Sequence, residues 1–212
     1  MTEPGKGAVI SGFRHNRFLQ GLLLWLVGLW VAMAIEPFDR GDWLLENVLV
    51  FVYAILLIAT YPRFRFSNLS YGLFGLFLSL HLVGAHYTYS ETPFGFWLQE
   101  TFDLSRNHYD RIVHFSFGLL IAYPFREFLL RVTGMRVAWS YLFAVVTVLA
   151  FSSFYEALEG AAAVVVSPEL GMAFLGTQGD IWDAQKDTAL AFVGSIAAMG
   201  ITRLITRVHS GR

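Results

Sequence analysis

Gly179-Asp180-Ile181-Trp182-Asp183-Ala184-Gln185-Lys186-Asp187 runs straight into the apolar stretch from Thr188 to Ile205. That junction decides the fold class. An apolar run of about 20 residues is long enough to cross a bilayer. Charges placed at its mouth are costly unless they have partners or work. Asp180, Asp183 and Asp187 are three and four residues apart and share one helical face. The face continues through Ala191, Gly194 and Ala198, a small-residue stripe suited to close helix packing. The acids are therefore expected to point into a helix bundle and away from lipid.

Five further apolar segments lie upstream, at about Phe18 to Ile35, Leu44 to Tyr61, Leu69 to Tyr89, Ile112 to Leu130 and Val137 to Leu158. The runs are continuous and do not alternate, so helices are expected and a β-barrel is not. The composition agrees: 56% of the 212 residues are hydrophobic, 15% are charged, and the mean hydropathy is +0.54. A soluble domain would carry about a quarter charged residues. The expected fold is all-α, a polytopic membrane helix bundle forming a single integral membrane domain over residues 1–212. With no cysteine in the chain, disulfides, thiolate metal sites and a cysteine nucleophile are excluded.

Orientation follows from the basic residues. Lys6, Arg14, Arg17, Arg63, Arg65, Arg126, Arg131, Arg136, Arg203, Arg207 and Arg212 all fall on one side of a six-span arrangement. Arg40, Arg106, Arg111 and Lys186 fall on the other. Six transmembrane helices with both termini cytoplasmic satisfy every loop. Of the 16 acids, only Glu3 and Glu127 are cytoplasmic in this arrangement, so the outer face is acidic. Ala32-Met33-Ala34 after an arginine-flanked apolar run mimics a signal-peptide cleavage site, but the run is long for one.

Two outer loops carry structure of their own. Ser90 to Asn107 holds Pro93, Phe94, Phe96 and Trp97, a composition suited to the headgroup level. Glu159 to Asp187 is the longest loop. Val137 to Val166 is too long for one straight span, so a break is expected near Gly160, followed by a hairpin or re-entrant piece over the outer mouth.

The outer ends of four spans supply the candidate site. His81 and His86 are five apart and face different directions, so at most one joins a common site; His86, nearer the acidic side, is the choice. Asp110 and His114 are one turn apart on one face. A carboxylate and an imidazole so placed hold one cation, or orient a base. As an alternative, Asp110 is a helix cap. Glu156 and Glu159 are also one turn apart; Glu159 reads as solvated and Glu156 as the deeper, functional acid. Asp180 and Asp183 have a capping alternative too. The expected metal ligands are His86, Asp110, His114, Glu156, Asp180, Asp183 and Asp187, with Glu156 and His114 as the catalytic pair. Mixed imidazole and carboxylate donors suit a divalent ion, Zn²⁺ first.

Gly84-Ala85-His86-Tyr87-Thr88-Tyr89, Tyr109-Asp110-Arg111-Ile112-Val113-His114-Phe115, Glu156-Ala157-Leu158-Glu159 and the opening stretch from Gly179 to Asp187 together resemble the YjdF family of bacterial inner-membrane proteins. That resemblance implies a multi-span protein of the bacterial inner membrane and assigns no activity. A weaker similarity in pattern alone links the chain to VanZ-like proteins, whose role in glycopeptide resistance it does not carry over.

Three readings follow. The first is a metal-dependent hydrolase or transferase acting on a lipid or envelope substrate. The second is a cation- or proton-coupled transporter, against which the inner halves of the spans offer almost no ionisable relay. The third is a structural protein whose acidic network holds helices together. Membrane lipids are expected partners. Nucleic acid is not, because the basic residues are dispersed.

Overall fold

A computed structural model describes residues 12–210. Glu3, Lys6 and Arg212, used in the charge count, lie outside the described residues. The described residues form α-helices, one short 3-10 helix (Phe13–His15) and connecting turns, with no strands. In chain order the helices are α1 (Arg17–Met33), α2 (Arg40–Thr60), α3 (Asn68–His86), α4 (Pro93–Phe102), α5 (Tyr109–Val132), α6 (Val137–Val165), α7 (Pro168–Leu175) and α8 (Asp183–Ser210). Five of these, α2, α3, α5, α6 and α8, are long and apolar enough to cross a membrane. The first apolar segment forms α1, a helix of 17 residues.

The centre of the bundle is the seam between α5 and α8, which make the most extensive contact in the molecule. The small-residue stripe explains it. A Cβ added at Gly118 would lie 1.9 Å from the Ala191 carbonyl oxygen, and one at Gly194 would lie 2.2 Å from the Phe115 carbonyl oxygen. The two backbones touch, as small residues permit in membrane bundles. Ala191 is fully buried and Ala198 nearly so, as the face inferred from Asp180 onward requires. α6 packs across this seam through Ala144 and Val148, and α3 packs against α5. α1 lies outside α3, with Leu22 seated on Gly75. α2 touches α3 and α7 and presents most of its length outward.

The break expected near Gly160 does not occur there. α6 continues to Val165, and the chain turns only at Ser167, whose hydroxyl accepts from the Leu170 amide to start α7. Ala161 to Val165 are good helix formers or apolar, and Gly160 with open space around it costs a helix only about 1 kcal/mol. Pro168 sits at the first position of α7, where it needs no amide partner. α7 folds back so that Gly171 meets the Ala163 backbone, and Leu170 reaches Gly41 of α2. At 29 residues, α6 is about 44 Å long, well beyond a hydrocarbon core of about 30 Å. Its last turn therefore stands clear of the bundle, with Val164 and Val165 exposed.

The two ends of the bundle differ. At the basic end, Glu127 of α5 accepts from the amide and hydroxyl of Ser67, 2.8 and 2.7 Å away, and from the Ser70 hydroxyl. It also pairs with Arg131 one turn along. The acidic end carries the candidate site.

Candidate functional site

Asp110, His114 and Asp187 come together where α5 and α8 begin. One donor atom from each lies within 4.8 Å of the others. His114 Nε2 is 3.5 Å from Asp110 Oδ1 and 3.5 Å from Glu156 Oε1 of α6. Asp187 is 1% exposed, and its Oδ1 has no hydrogen-bond partner. Asp110, His114 and Glu156 are slightly exposed, so the group is reachable from outside. The α5–α8 contact fixes their spacing, because the ligand-bearing turns sit directly above Gly118, Ala191 and Gly194.

Glu156 leads into a second layer of acids. Glu159, one turn further along α6, is buried, not solvated as the sequence reading held. α6 runs on past it, and α2 and α7 cover that side. Glu46 of α2 is 2% exposed and accepts from the Tyr155 hydroxyl at 3.2 Å. Asp42, one turn earlier, is 1% exposed, and neither of its oxygens has a partner. Among the described residues, none of Asp42, Glu46, Asp110, Glu156, Glu159 and Asp187 is ion-paired with a lysine or arginine.

Asp42 and Glu46 were not singled out from sequence, yet a signal exists. Asp39-x-x-Asp42-x-x-x-Glu46 repeats the spacing of Asp180-x-x-Asp183-x-x-x-Asp187. In both, the first acid sits outside the helix and accepts a backbone amide: Asp39 from Asp42, and Asp180 from Trp182. The last acid of each set lies about one turn inside and is buried.

The two histidines of α3 part as their spacing requires, but the inward one is His81. It is buried, with Nε2 3.3 Å from the Glu46 carbonyl and Nδ1 2.6 Å from the Tyr89 hydroxyl. A carbonyl only accepts, so Nε2 carries the proton and Nδ1 receives the Tyr89 hydrogen. Tyr89 reaches back because Thr88 and Tyr89 both adopt left-handed backbone, at φ 49° and 54°. Gly84 makes room, since a Cβ there would come within 2.6 Å of the Tyr89 ring. His86 stands apart from the acids. Its Nδ1 is 3.0 Å from the Met33 carbonyl at the end of α1, and its own carbonyl accepts from Phe38.

Asp180 and Asp183 also lie outside the acid group, held by cations. Arg106 is 7% exposed and donates to Asp183 at 2.5 Å and to the carbonyls of Thr177 and Gly176. Arg111 donates to Asp180 at 2.5 Å and approaches Asp183 at 3.4 Å. Lys186 donates to Asp180 at 2.5 Å. The hydrogen bond from Lys186, aided by the Trp182 amide, holds the Asp180 carboxyl down at about 2. Partial burial, then the Arg111 charge, pushes the His108 imidazole below its ordinary value. Asn107 completes this clasp by exchanging hydrogen bonds with Gln178 at 3.1 and 2.9 Å. The seven expected ligands thus divide: Asp110, His114 and Asp187 converge, Glu156 stands beside His114, Asp180 and Asp183 serve an ionic clasp, and His86 ties α3 to α1.

The comparisons agree with this architecture. Residues 18–208 match a family model described as a predicted membrane protein family, DUF2238. The inner membrane protein YjdF of Escherichia coli (strain K12) is 38% identical over 170 residues, which cover 80% of this chain and 81% of that protein. No solved structure matches the chain. An all-helical bundle with five membrane-length helices, matched along nearly its whole length, belongs to the DUF2238 family of membrane proteins and is an inner-membrane protein.

Proposed function

We propose that the chain crosses the membrane six times, with α1 as the first span and both termini cytoplasmic, and that Asp110, His114 and Asp187 hold a divalent metal ion at the outer face, with Glu156 beside His114. One observation carries the metal reading: a donor atom from each of Asp110, His114 and Asp187 lies within 4.8 Å of the others. A tetrahedral ion with bonds of about 2.1 Å sets its ligands about 3.4 Å apart. The acids also outnumber the cations around them, and Asp187 presents an unpartnered oxygen to the group. An ion of two positive charges answers both features.

The reaction class best suited to such a site is hydrolysis or group transfer on a lipid or envelope substrate. A divalent ion lowers the pKa of a coordinated water. Glu156, 3.5 Å from His114 Nε2, would hold the proton that such a water gives up. The substrate is expected to be membrane-borne, since the group opens at the bundle end. The structural reading describes the neighbouring half of the acidic end, where Arg106 and Arg111 neutralise Asp183 and Asp180.

Elemental analysis of the detergent-purified protein tests the site. About one divalent ion per chain is expected in the wild type. His114→Ala and Asp187→Asn are expected to lose it while remaining folded. A well-folded wild type that takes up none of Zn²⁺, Mn²⁺ or Ca²⁺ overturns the proposal.

A further inference from the structure

A groove of about 710 Å³ lies beside the α5–α8 seam, with Leu98 of α4 on its far wall. It lies on the opposite side of α5 from the face that carries Asp110 and His114. Its character changes along its length. At the bundle end it is lined by His108, Arg111 and Lys186. Deeper, it is lined by Leu98 of α4, Ile112 and Phe115 of α5, and Leu190 and Val193 of α8. At a rise of about 1.5 Å per residue, Arg111 to Phe115 and Lys186 to Val193 carry the apolar walls roughly 6–10 Å inward from the cations.

The charge at the mouth is not self-cancelling. Arg106 neutralises Asp183, which leaves Arg111 and Lys186 facing the single carboxylate of Asp180. The Lys186 side chain is half exposed. Three of the four basic residues assigned to this acid-rich end are gathered here. A net positive mouth above an apolar trough matches one kind of occupant: an anionic lipid, with its phosphate at the mouth and an acyl chain along the walls.

We infer that the α4–α5–α8 groove is a binding site for a phosphate-headed anionic lipid, contacted by Arg111 and Lys186 at the headgroup. The site does not depend on the proposed metal ion, and either can fail without the other. Volume fits as well, since ligand clefts commonly measure about 300–1,000 Å³.

Native mass spectrometry of the full chain, released from detergent containing equal phosphatidylglycerol and phosphatidylcholine, tests this. The wild type is expected to retain phosphatidylglycerol in preference to phosphatidylcholine. Lys186→Gln is expected to lower that retention about fivefold, the worth of one basic contact at a membrane surface. Ala189 lines the trough, is exposed and takes part in none of the ion pairs; Ala189→Trp fills the trough and is expected to remove the bound lipid with the fold intact. Arg136→Gln at the opposite end is the control for general attraction of anionic lipid and is expected to leave this component unchanged. Equal retention of the two lipids overturns the proposal, as does undiminished phosphatidylglycerol in folded Ala189→Trp. Competition by free glycerol 3-phosphate as strong as by the lipid also overturns it, by showing a phosphate site with no use for the chain.

Discussion

Asp183 and Asp187 stand one turn apart on α8, both almost fully buried, and their surroundings give them opposite roles. Asp183 has Arg106 at 2.5 Å and Arg111 at 3.4 Å. Asp187 has no lysine or arginine paired with it, only the His114 imidazole nearby, and a free oxygen. Removing one partner of a buried ion pair leaves the other charge stranded, at a cost of about 3–5 kcal/mol. Asp183→Asn is therefore expected to lower stability by about 3 kcal/mol, the low end, because Asp180 still serves Arg111. Asp187→Asn removes an unpaired buried carboxylate and is expected to leave apoprotein stability unchanged or higher. Thermal unfolding of the two metal-free variants in detergent checks the contrast. Equal destabilisation by both would show that Asp187 is a structural acid. Spacing alone makes these two residues look alike in the sequence. Their difference comes from Arg106, 77 positions away, which no local pattern connects to Asp183.

At the scale of elements, the helices were legible because bilayer thickness sets their length, and the stripe after Asp187 was legible because only small residues let two helices touch. The same stripe yields a sharp expectation. Gly194→Leu must separate α5 from α8 by more than an ångström, since even a Cβ would lie 2.2 Å from the Phe115 carbonyl oxygen. It is expected to abolish metal retention and to lower stability by at least about 3 kcal/mol, the upper end of overpacking costs. Gly160→Leu, with open space around Gly160, is expected to do neither. Metal content and thermal unfolding of both variants decide it. The inward turn of His81 was less legible. It depends on a left-handed Thr88-Tyr89 pair and on the space at Gly84, and neither departs from an ordinary helix end in sequence. Glu159 was misread because helix α6 outlasts the glycine expected to end it.

The molecule as a whole has one acidic and one basic end, and the positive-inside argument assigns the basic end to the cytoplasm. The absence of cysteine makes that directly measurable. Single cysteines at Ser105 and Met172 are expected to react with a membrane-impermeant thiol reagent in intact cells whose outer membrane has been permeabilised, and one at Gly134 only after lysis. The reverse pattern overturns the orientation and with it the outer-face assignment of the metal group. Whole-molecule shape also explains why α2 was overlooked as a source of site residues. Most of its surface faces outward, and only its first two turns dip into the acid group through Asp42 and Glu46.

The backbone contact between α5 and α8 limits how the protein can move. Side chains that interdigitate can slip a notch, but a glycine pressed on a carbonyl has nowhere to slip. The pair behaves as a single beam in the bilayer. Thinning, thickening or lateral pressure tilts the beam without shearing it, so the distance from His114 to Asp187 is insulated from the state of the lipid.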